Sequence, residues 1–419
     1  MKDSGIEWIG EIPEGWEIHR IKTHFSIISG SGFKPELQGQ STGDFPVCKA
    51  SDISSSGHYL HTSANYISSD IVKSQHFSII PKGSILFAKI GEAMRKNNRS
   101  LCSLDCCVDN NCQGLVPKNI SSEFSYYLFT CIDMTWFDNA GTIPCINNQK
   151  LYDCRIPFPS YGEQLLIANH LNIQCDKINE MLFHIRASIE EYKKLKQAVI
   201  TQAVTKGVRG EREMKDSGVE WIGEIPAEWS ICPLKRLAAI QTGSTPSKTS
   251  SESFYSSIAG TPWIKPDNLG FSSSIETTAE FLTEEGCSVA RILPSNTVYV
   301  GCIGSRIGNC GYSLIPCACN QQINALIFNA RMYWKYGWYL TIFQEEQYML
   351  LANGNVIQII NSTTQGNISC IVPSISEQRE ITAYLDAKCA EIDGLIEKKE
   401  QLVKELESYK KSLIYEVVT

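Results

Sequence analysis

No run of apolar residues in the chain approaches the ~20 that a membrane helix needs. The opening Met1-Lys2-Asp3-Ser4-Gly5 lacks the charged-then-apolar pattern of a signal peptide. Neither membrane insertion nor export is expected, so the chain reads as cytoplasmic. A basic excess is missing too: 38 Lys and Arg face 45 Asp and Glu, for a net charge of −7. Any polyanion must then be bound by local patches rather than by a global field. Cysteine is plentiful at 17 residues, but it lacks pattern. The clusters Cys102, Cys106, Cys107, Cys112 and Cys317, Cys319 contain no C-x2-C pair and no His at ligand spacing. An odd number of scattered cysteines reads as reduced thiols used as small hydrophobes, with no metal site.

Catalytic motifs are missing as well. Gly301, Gly304, Gly308 and Gly311 do not fit GxGxxG, and no Gly-Lys-Ser/Thr ends the run. Five of the seven His fall within residues 19–76, but no Ser or Cys occupies a nucleophile elbow. The chain has no Asn-Pro-Pro-aromatic sequence, and Pro266-Asp267 has no Glu-x-Lys at useful range downstream. No cofactor is expected in this chain, and no catalysis by it alone.

What is present is a repeat. MKDSGIEWIGEIPEGWE at residues 1–17 returns as MKDSGVEWIGEIPAEWS at 214–230, with 13 of 17 positions identical at an offset of 213. Downstream of each copy lies a second matched pair. Glu163-Gln164 opens a segment of 43 residues ending at Thr205, and Glu377-Gln378 opens one of equal length ending at Thr419. Their apolar positions stay in phase, as at Ile167/Ile381, Leu171/Leu385, Ile178/Ile392 and Leu182/Ile396. The chain is a tandem duplication of a unit of about 213 residues.

Both 43-residue segments carry apolar residues at three- and four-residue spacing, hold no Pro, and have Gly394 as their single Gly. Each predicts a helix of about 65 Å, and the sustained pattern with Glu and Lys opposite predicts a coiled coil. Two helices packed separately on their own domains are the alternative. Ser160 and Ser376 are the expected N-caps. The link 206–213, polar and holding two Gly, reads as an exposed loop tolerant of cutting. If the helices pair, the repeat makes them antiparallel and brings Thr419 close to Met1, giving a pseudo-two-fold molecule. The stretches between the helices are rich in Gly, Ser, Pro and aromatics, with β-like runs such as Ser84–Ala88 and Thr297–Val300. Each predicts one α+β globular domain. The two copies diverge almost completely there, apart from landmarks such as Lys89-Ile90-Gly91 beside Cys302-Ile303-Gly304.

The doubled SGxEWxGEIPxxW motif and the Glu-Gln helix after a Pro-containing strand end resemble one family closely: the specificity subunits of type I restriction–modification systems. The resemblance covers essentially the full chain. It implies target-recognition domains at 1–162 and 214–376, a central helical region with its link at 163–213, and a distal helical region at 377–419. The expected fold is thus α+β: two globular recognition domains joined by two long antiparallel coiled-coil helices. The implied function is recognition of a bipartite, asymmetric site on double-stranded DNA, with methyltransferase and restriction–translocase subunits as partners. S-adenosylmethionine, ATP and Mg2+ are then expected on those partners. A coiled-coil scaffold that organises proteins without reading DNA is the competing reading, and the acidic balance favours it.

The resemblance carries no base-contacting residue over, so candidates come from chemistry. Arg and Lys suit phosphates and guanine edges, whereas Asn and Gln suit adenine edges. In the first domain these are Lys89, Arg95, Lys96, Asn97, Asn98 and Arg99, opposed only by Glu92. In the second they are Lys265, Asn268, Arg306, Asn309, Asn320, Gln321 and Gln322. The same groups could equally form solvated loops that bond their own backbone. Trp8, Trp16, Trp221 and Trp229 sit at matched positions of the start motif and read as core anchors between domain and coil rather than as stacking platforms.

The resemblance makes the helices a ruler. Inserting four residues at matched points of both should separate the domains by about 6 Å. The preferred spacer should lengthen by about one or two base pairs, at 3.4 Å each, with both half-sites unchanged. Mapping the bound site of such a variant checks this, and altered half-sites would put base recognition in the helices.

Overall fold

In the computed structural model, which describes residues 1–139, 141–246, 251–270, 274–354 and 357–419, the start motif folds as the same hairpin twice. Lys2–Asp3 pairs with Glu11–Ile12, and Met214–Asp216 pairs with Glu224–Pro226, both antiparallel. Gly5 and Gly218 follow the first strands at φ of 68° and 73°, where a side chain would be strained. Asp3 and Asp216 accept the N–H of these glycines at 2.9 Å. The motif is a self-closing turn, and its Asp and Gly positions leave little freedom to drift.

The chain divides into two units, Met1–Ile185 with Leu402–Thr419, and Arg186–Gln401. The first contains a five-stranded sheet in the order Phe25–Ser29, Cys112–Pro117, Ile85–Ala88, Arg99–Cys102, Tyr59–Leu60. The second contains a four-stranded sheet in the order Ala238–Thr242, Ile323–Phe328, Thr297–Gly301, Cys310–Ser313. The registers correspond: Leu115 lies opposite Ile85 as Leu326 lies opposite Val298. A smaller sheet beside each has one parallel pair, Phe45–Cys48 with Cys107–Val108 and Thr261–Ile264 with Ala318–Cys319. Even an amide pair built on a buried donor recurs. Gln113 donates to Asn148 at 3.1 Å, and Asn324 donates to Gln365 at 2.7 Å.

Both segments are helical, over Tyr161–Lys206 and Ile375–Val418, with the last expected residue, Thr419, just beyond the second helix. Ser160 caps the first, exchanging bonds with Glu163 through its Oγ and its backbone N–H. The second is capped by Ser374 rather than Ser376. Ser374 stands three residues before Glu377, the spacing that lets its Oγ accept the Glu377 N–H at 3.3 Å. Each helix is then tied to its globular domain by the Glu-Gln pair. Gln164 is fully buried, accepting the Ser121 N–H at 2.9 Å and donating to the Pro159 carbonyl at 3.0 Å. Gln378 does the same with the Tyr333 N–H at 2.6 Å and the carbonyls of Arg331 and Pro373. Beside them Trp16 donates to Glu163 at 3.4 Å and Trp229 to Glu377 at 2.9 Å. These two tryptophans anchor the start motif to the helix start.

Strand pairing explains how residues about 147 apart meet. Glu17–Arg20, which follows the first motif, pairs with Arg155–Phe158, which precedes the first long helix. Ser230–Pro233 and Ser369–Val372 repeat the arrangement. Within the second unit the helices run antiparallel: Arg209 pairs with Glu380, Lys196 with Asp393, and Lys399 lies over the Tyr192 ring. Within the first unit Lys410 donates to Asn179 at 2.7 Å, and Tyr415 donates to the Trp8 carbonyl at 2.6 Å. Each domain core takes in both helices. Ala168, Leu171, Ile414 and Val418 join Phe25 and Phe124 in the first, and Ile200, Val204, Ile381 and Leu385 join Trp229 and Tyr336 in the second.

The link 206–213 departs from the loose loop expected of it. Arg212 donates to the Lys206 carbonyl and to Glu228 and Glu377, and its guanidinium lies 4.9 Å from the Trp229 ring. Arg209 reaches Glu380 through two hydrogen bonds of 2.7 and 2.9 Å. The backbone is exposed, but two arginine forks hold it to the start of the second helix. All 17 cysteines are free thiols, 13 of them buried and none exposed. Among the described residues no helix is long and apolar enough to cross a membrane.

Gln378→Leu and Gln164→Leu should each destabilise the fold by roughly 2–4 kcal/mol, because each strands a buried N–H and carbonyls that cost about 1–3 kcal/mol apiece. Denaturant unfolding checks this, and unchanged midpoints would remove the amides from their anchoring role.

Candidate nucleic-acid interface

The turn after the central strand of each large sheet is the same in both units. Gly91 and Gly304 take φ of 73° and 71°, and donate their N–H to Pro144 O at 2.8 Å and Gln358 O at 2.9 Å. One residue pair further, Ile146 donates to Lys89 O at 2.9 Å and Ile360 to Cys302 O at 3.0 Å. A second segment is thereby held to each turn, through Pro144 and Ile146 in one unit and Gln358 and Ile360 in the other. From this scaffold the sequences part. Seven residues lead from Gly91 to Arg99, and five lead from Gly304 to Cys310.

In the first unit Lys89 is half-buried at the base of the turn, and Arg95 and Lys96 are exposed. Arg95 is paired with Glu92 at 2.7 Å, an exposed contact that adds little to stability. Lys96 has no carboxylate partner among the described residues. Asn98 donates to the Ser54 hydroxyl at 2.9 Å. Asn97 and Arg99 correct the expectation. Arg99 is 6% exposed, on the strand, donating to Ile132 O at 3.0 Å and Asn97 Oδ1 at 2.6 Å. Asn97, at φ of 60°, also accepts the Met134 N–H at 3.0 Å. Burial lowers the Arg99 pKa to about 10, so it remains a cation at neutral pH, held under the loop rather than on it. Strand register decided this: Arg99 faces Phe87 as Cys310 faces Val300.

In the second unit Arg306 is exposed beside Asp267, at 3.4 Å, and Asn309 is half-buried in the same turn. Lys265 reaches Glu280 at 2.8 Å with its ammonium 4.9 Å from the Trp263 ring. Asn268 spends its Oδ1 on the Lys265 N–H at 2.9 Å. The Asn320-Gln321-Gln322 run divides. Asn320 is buried and closes its own loop, accepting the Gln322 N–H at 3.1 Å and donating to Gln322 Oε1 at 3.2 Å. Gln321 is exposed, with its carbonyl oxygen accepting the Thr245 hydroxyl. Arg306 and Asn309 share the turn after Gly304, whereas Lys265 and Asn268 belong to the loop after the parallel strand.

That second loop has a counterpart that sequence reading missed. Lys49 follows Phe45–Cys48 as Lys265 follows Thr261–Ile264, and its N–H bonds Asp52 at 2.7 Å as Lys265 bonds Asn268. The signal was Pro46-x-x-Lys49-x-x-Asp52 against Pro262-x-x-Lys265-x-x-Asn268, displaced from the motif offset by loop insertions. Lys49 extends to Gln38 at 2.7 Å with its ammonium 5.4 Å from the Phe33 ring. Among the described residues no grouping of three His, Cys, Asp or Glu side chains could hold a metal ion.

A family model for the type I restriction modification DNA specificity domain matches the chain twice, at residues 13–191 and 226–405. The chain is 26% identical over 435 residues to the type I restriction enzyme MjaVIII specificity subunit of Methanocaldococcus jannaschii, covering 97% of this chain and 93% of that protein. It is 25% identical over 286 residues to the MjaIX specificity subunit of the same organism, covering 66% of this chain and 63% of the relative. A chain from a solved structure concerned with complex assembly and conformational transition of the type I R-M system matches with a TM-score of 0.71 at 16% identity. That match covers 97% of this chain and 98% of the other. At that identity the likeness is one of fold.

The burial contrast separates two arginine-lysine roles. Arg99→Ala should cost about 3 kcal/mol in stability, because it leaves two buried acceptors unpaired and a void. Lys96→Ala should stay within about 0.5 kcal/mol of the parent. Thermal unfolding of both variants checks this, and a silent Arg99→Ala would return Arg99 to the exposed candidates.

Proposed function

Since the chain belongs to the family of type I restriction–modification DNA specificity subunits, we propose that its two repeats read the two halves of one bipartite, asymmetric duplex site. It is the non-catalytic, site-naming member of its complex. The observation that carries the reading is one scaffold bearing two side-chain sets. Gly91 and Gly304 make the same clamped turn, yet the first displays Lys89, Arg95, Lys96 and Asn98, and the second displays Arg306 and Asn309. A duplicated framework with unlike polar surfaces suits two unlike half-sites. Lys265, Asn268, Gln321 and Gln322 extend the second surface, and Lys49 extends the first. Arg99, Asn97 and Asn320 support the loops from beneath.

Recognition domains at 1–162 and 214–376 then carry the bases' readout, and the helical regions at 163–213 and 377–419 carry the partners. The helices keep exposed apolar side chains for this, among them Leu166, Ile173 and Phe183 on the first and Leu402 and Tyr409 on the second. Methyltransferase subunits dock there, restriction–translocase subunits join them, and S-adenosylmethionine, ATP and Mg2+ serve those partners in the cytoplasm. The net charge of −7 is compatible with this division, because local cations meet the phosphates.

Binding of the assembled complex to its duplex at rising salt tests the reading. Arg95→Ala with Lys96→Ala should weaken binding and reduce the slope of log affinity against log salt by about one to two. A slope equal to that of the parent would place the patch away from DNA.

A further inference from the structure

The clamped loops allow residues of the two diverged domains to be matched one by one. Pro144 and Gln358 are equivalent, because each offers its carbonyl to the glycine of the turn, and Ile146 and Ile360 are equivalent by their bonds to Lys89 O and Cys302 O. The residue before Pro144 is Ile143, and the residue before Gln358 is Ile357. These side chains are 65% and 57% exposed. A single exposed apolar residue needs no explanation. The same residue, exposed at the same position of two domains that have otherwise drifted apart, does.

In both units the segment bearing the isoleucine is closed by hydrogen bonds at its ends. In the first, Asn139 donates to Cys145 O at 2.9 Å and Cys145 donates to Asp138 Oδ1 at 2.8 Å. In the second, Asn353 and Ile359 exchange backbone bonds of 3.0 and 2.9 Å. Gly354 makes the bend, at φ of 146°, where a Cβ would come within 2.1 Å of the Ile357 carbonyl. In both units the isoleucine is presented to solvent one residue before the carbonyl that meets the glycine turn. It adjoins the turns that carry Lys89, Arg95 and Lys96 in one unit and Arg306 and Asn309 in the other.

We propose that Ile143 and Ile357 are the apolar base contacts of the recognition surface, one for each half-site, entering a DNA groove beside the cations that hold the phosphates. The inference rests on the DNA-reading function proposed above and adds to it the residues that discriminate sequence. Base edges offer an apolar target in the thymine methyl, and base steps accept aliphatic wedges. Neither contact neutralises a phosphate, so it should show in sequence preference rather than in salt dependence.

The test uses the assembled system in cells, with modified adenines mapped across the genome, and then duplexes carrying the mapped site. Ile143→Ser should relax the sequence at one half-site and lower affinity tenfold or more, on the scale of burying an Ile side chain. Ile357→Ser should do the same at the other half-site only, and both should keep the parent salt slope and melting temperature. Ile143→Leu and Ile357→Leu should retain affinity within a few fold. Unchanged motif and affinity in both Ser variants would overturn the inference. So would loss of partner assembly with the motif intact, which would make these residues protein contacts. If only the Ile variants are silent, this inference fails alone. The DNA reading itself fails separately, if the assembled parent complex shows no sequence-dependent binding to the mapped duplex.

Discussion

Gln164 and Gln378 each bury a complete side-chain amide at the first turn of a long helix, and each satisfies an N–H and one or more carbonyls of the neighbouring domain. A buried amide with all partners in place fixes position far more narrowly than apolar packing does, since any shift leaves polar groups stranded. The adjacent glutamates draw in Trp16 and Trp229, so start motif, domain and helix meet at one point in each repeat. Helix direction relative to the domain follows from that junction. The identity retained over 17 residues of start motif is its sequence trace.

Beyond the junction the constraint weakens and the copies diverge. Strand registers, the amide pairs Gln113–Asn148 and Asn324–Gln365, and the glycine turns persist, because each solves a backbone problem with few answers. What the loops display is free of that constraint. A cation such as Lys96 stands in water at almost no cost to the fold. Arg99 shows the opposite case: a buried guanidinium spends two of its donors on Ile132 O and Asn97 and shapes the loop above it. Two cationic residues three positions apart thus differ in role because one lies on a strand and one on a turn.

The two junctions are alike but not equal. Glu377 is buried beneath Arg212 of the link, whereas Glu163 is exposed and meets only the neutral donors Ser160 and Trp16. A buried carboxylate needs its cation, since removing one partner of such a pair is far more costly than never having built it. The link between the repeats therefore acts as part of the second junction, although its composition has the look of a simple tether.

Duplication, helical segments, the α+β character of the domains and the family resemblance were all legible in the sequence, because periodicity and repeated motifs are local signals that survive without a third dimension. The caps were legible to within two residues: the Ser-x-x-Glu spacing was there, but Ser376 lies inside the helix, and Ser374 before it does the capping. The candidate interface was legible only in its residue types. Lys96, Arg95 and Arg306 are exposed as their chemistry suggests, but Arg99 and Asn320 are buried, and nothing local distinguishes them. The equivalence of Lys49 with Lys265 was hidden by insertions that break the repeat offset, whereas Ile143 and Ile357 keep the offset of the helices and only their shared exposure needed the structure. Side-chain exposure depends on strand register and on which loop packs over which turn, and these are set by hydrogen bonds between segments tens of residues apart. Patterns of one and two turns belong to the sequence; which face of a strand looks at water belongs to the tertiary structure, because a shift of one residue reverses it.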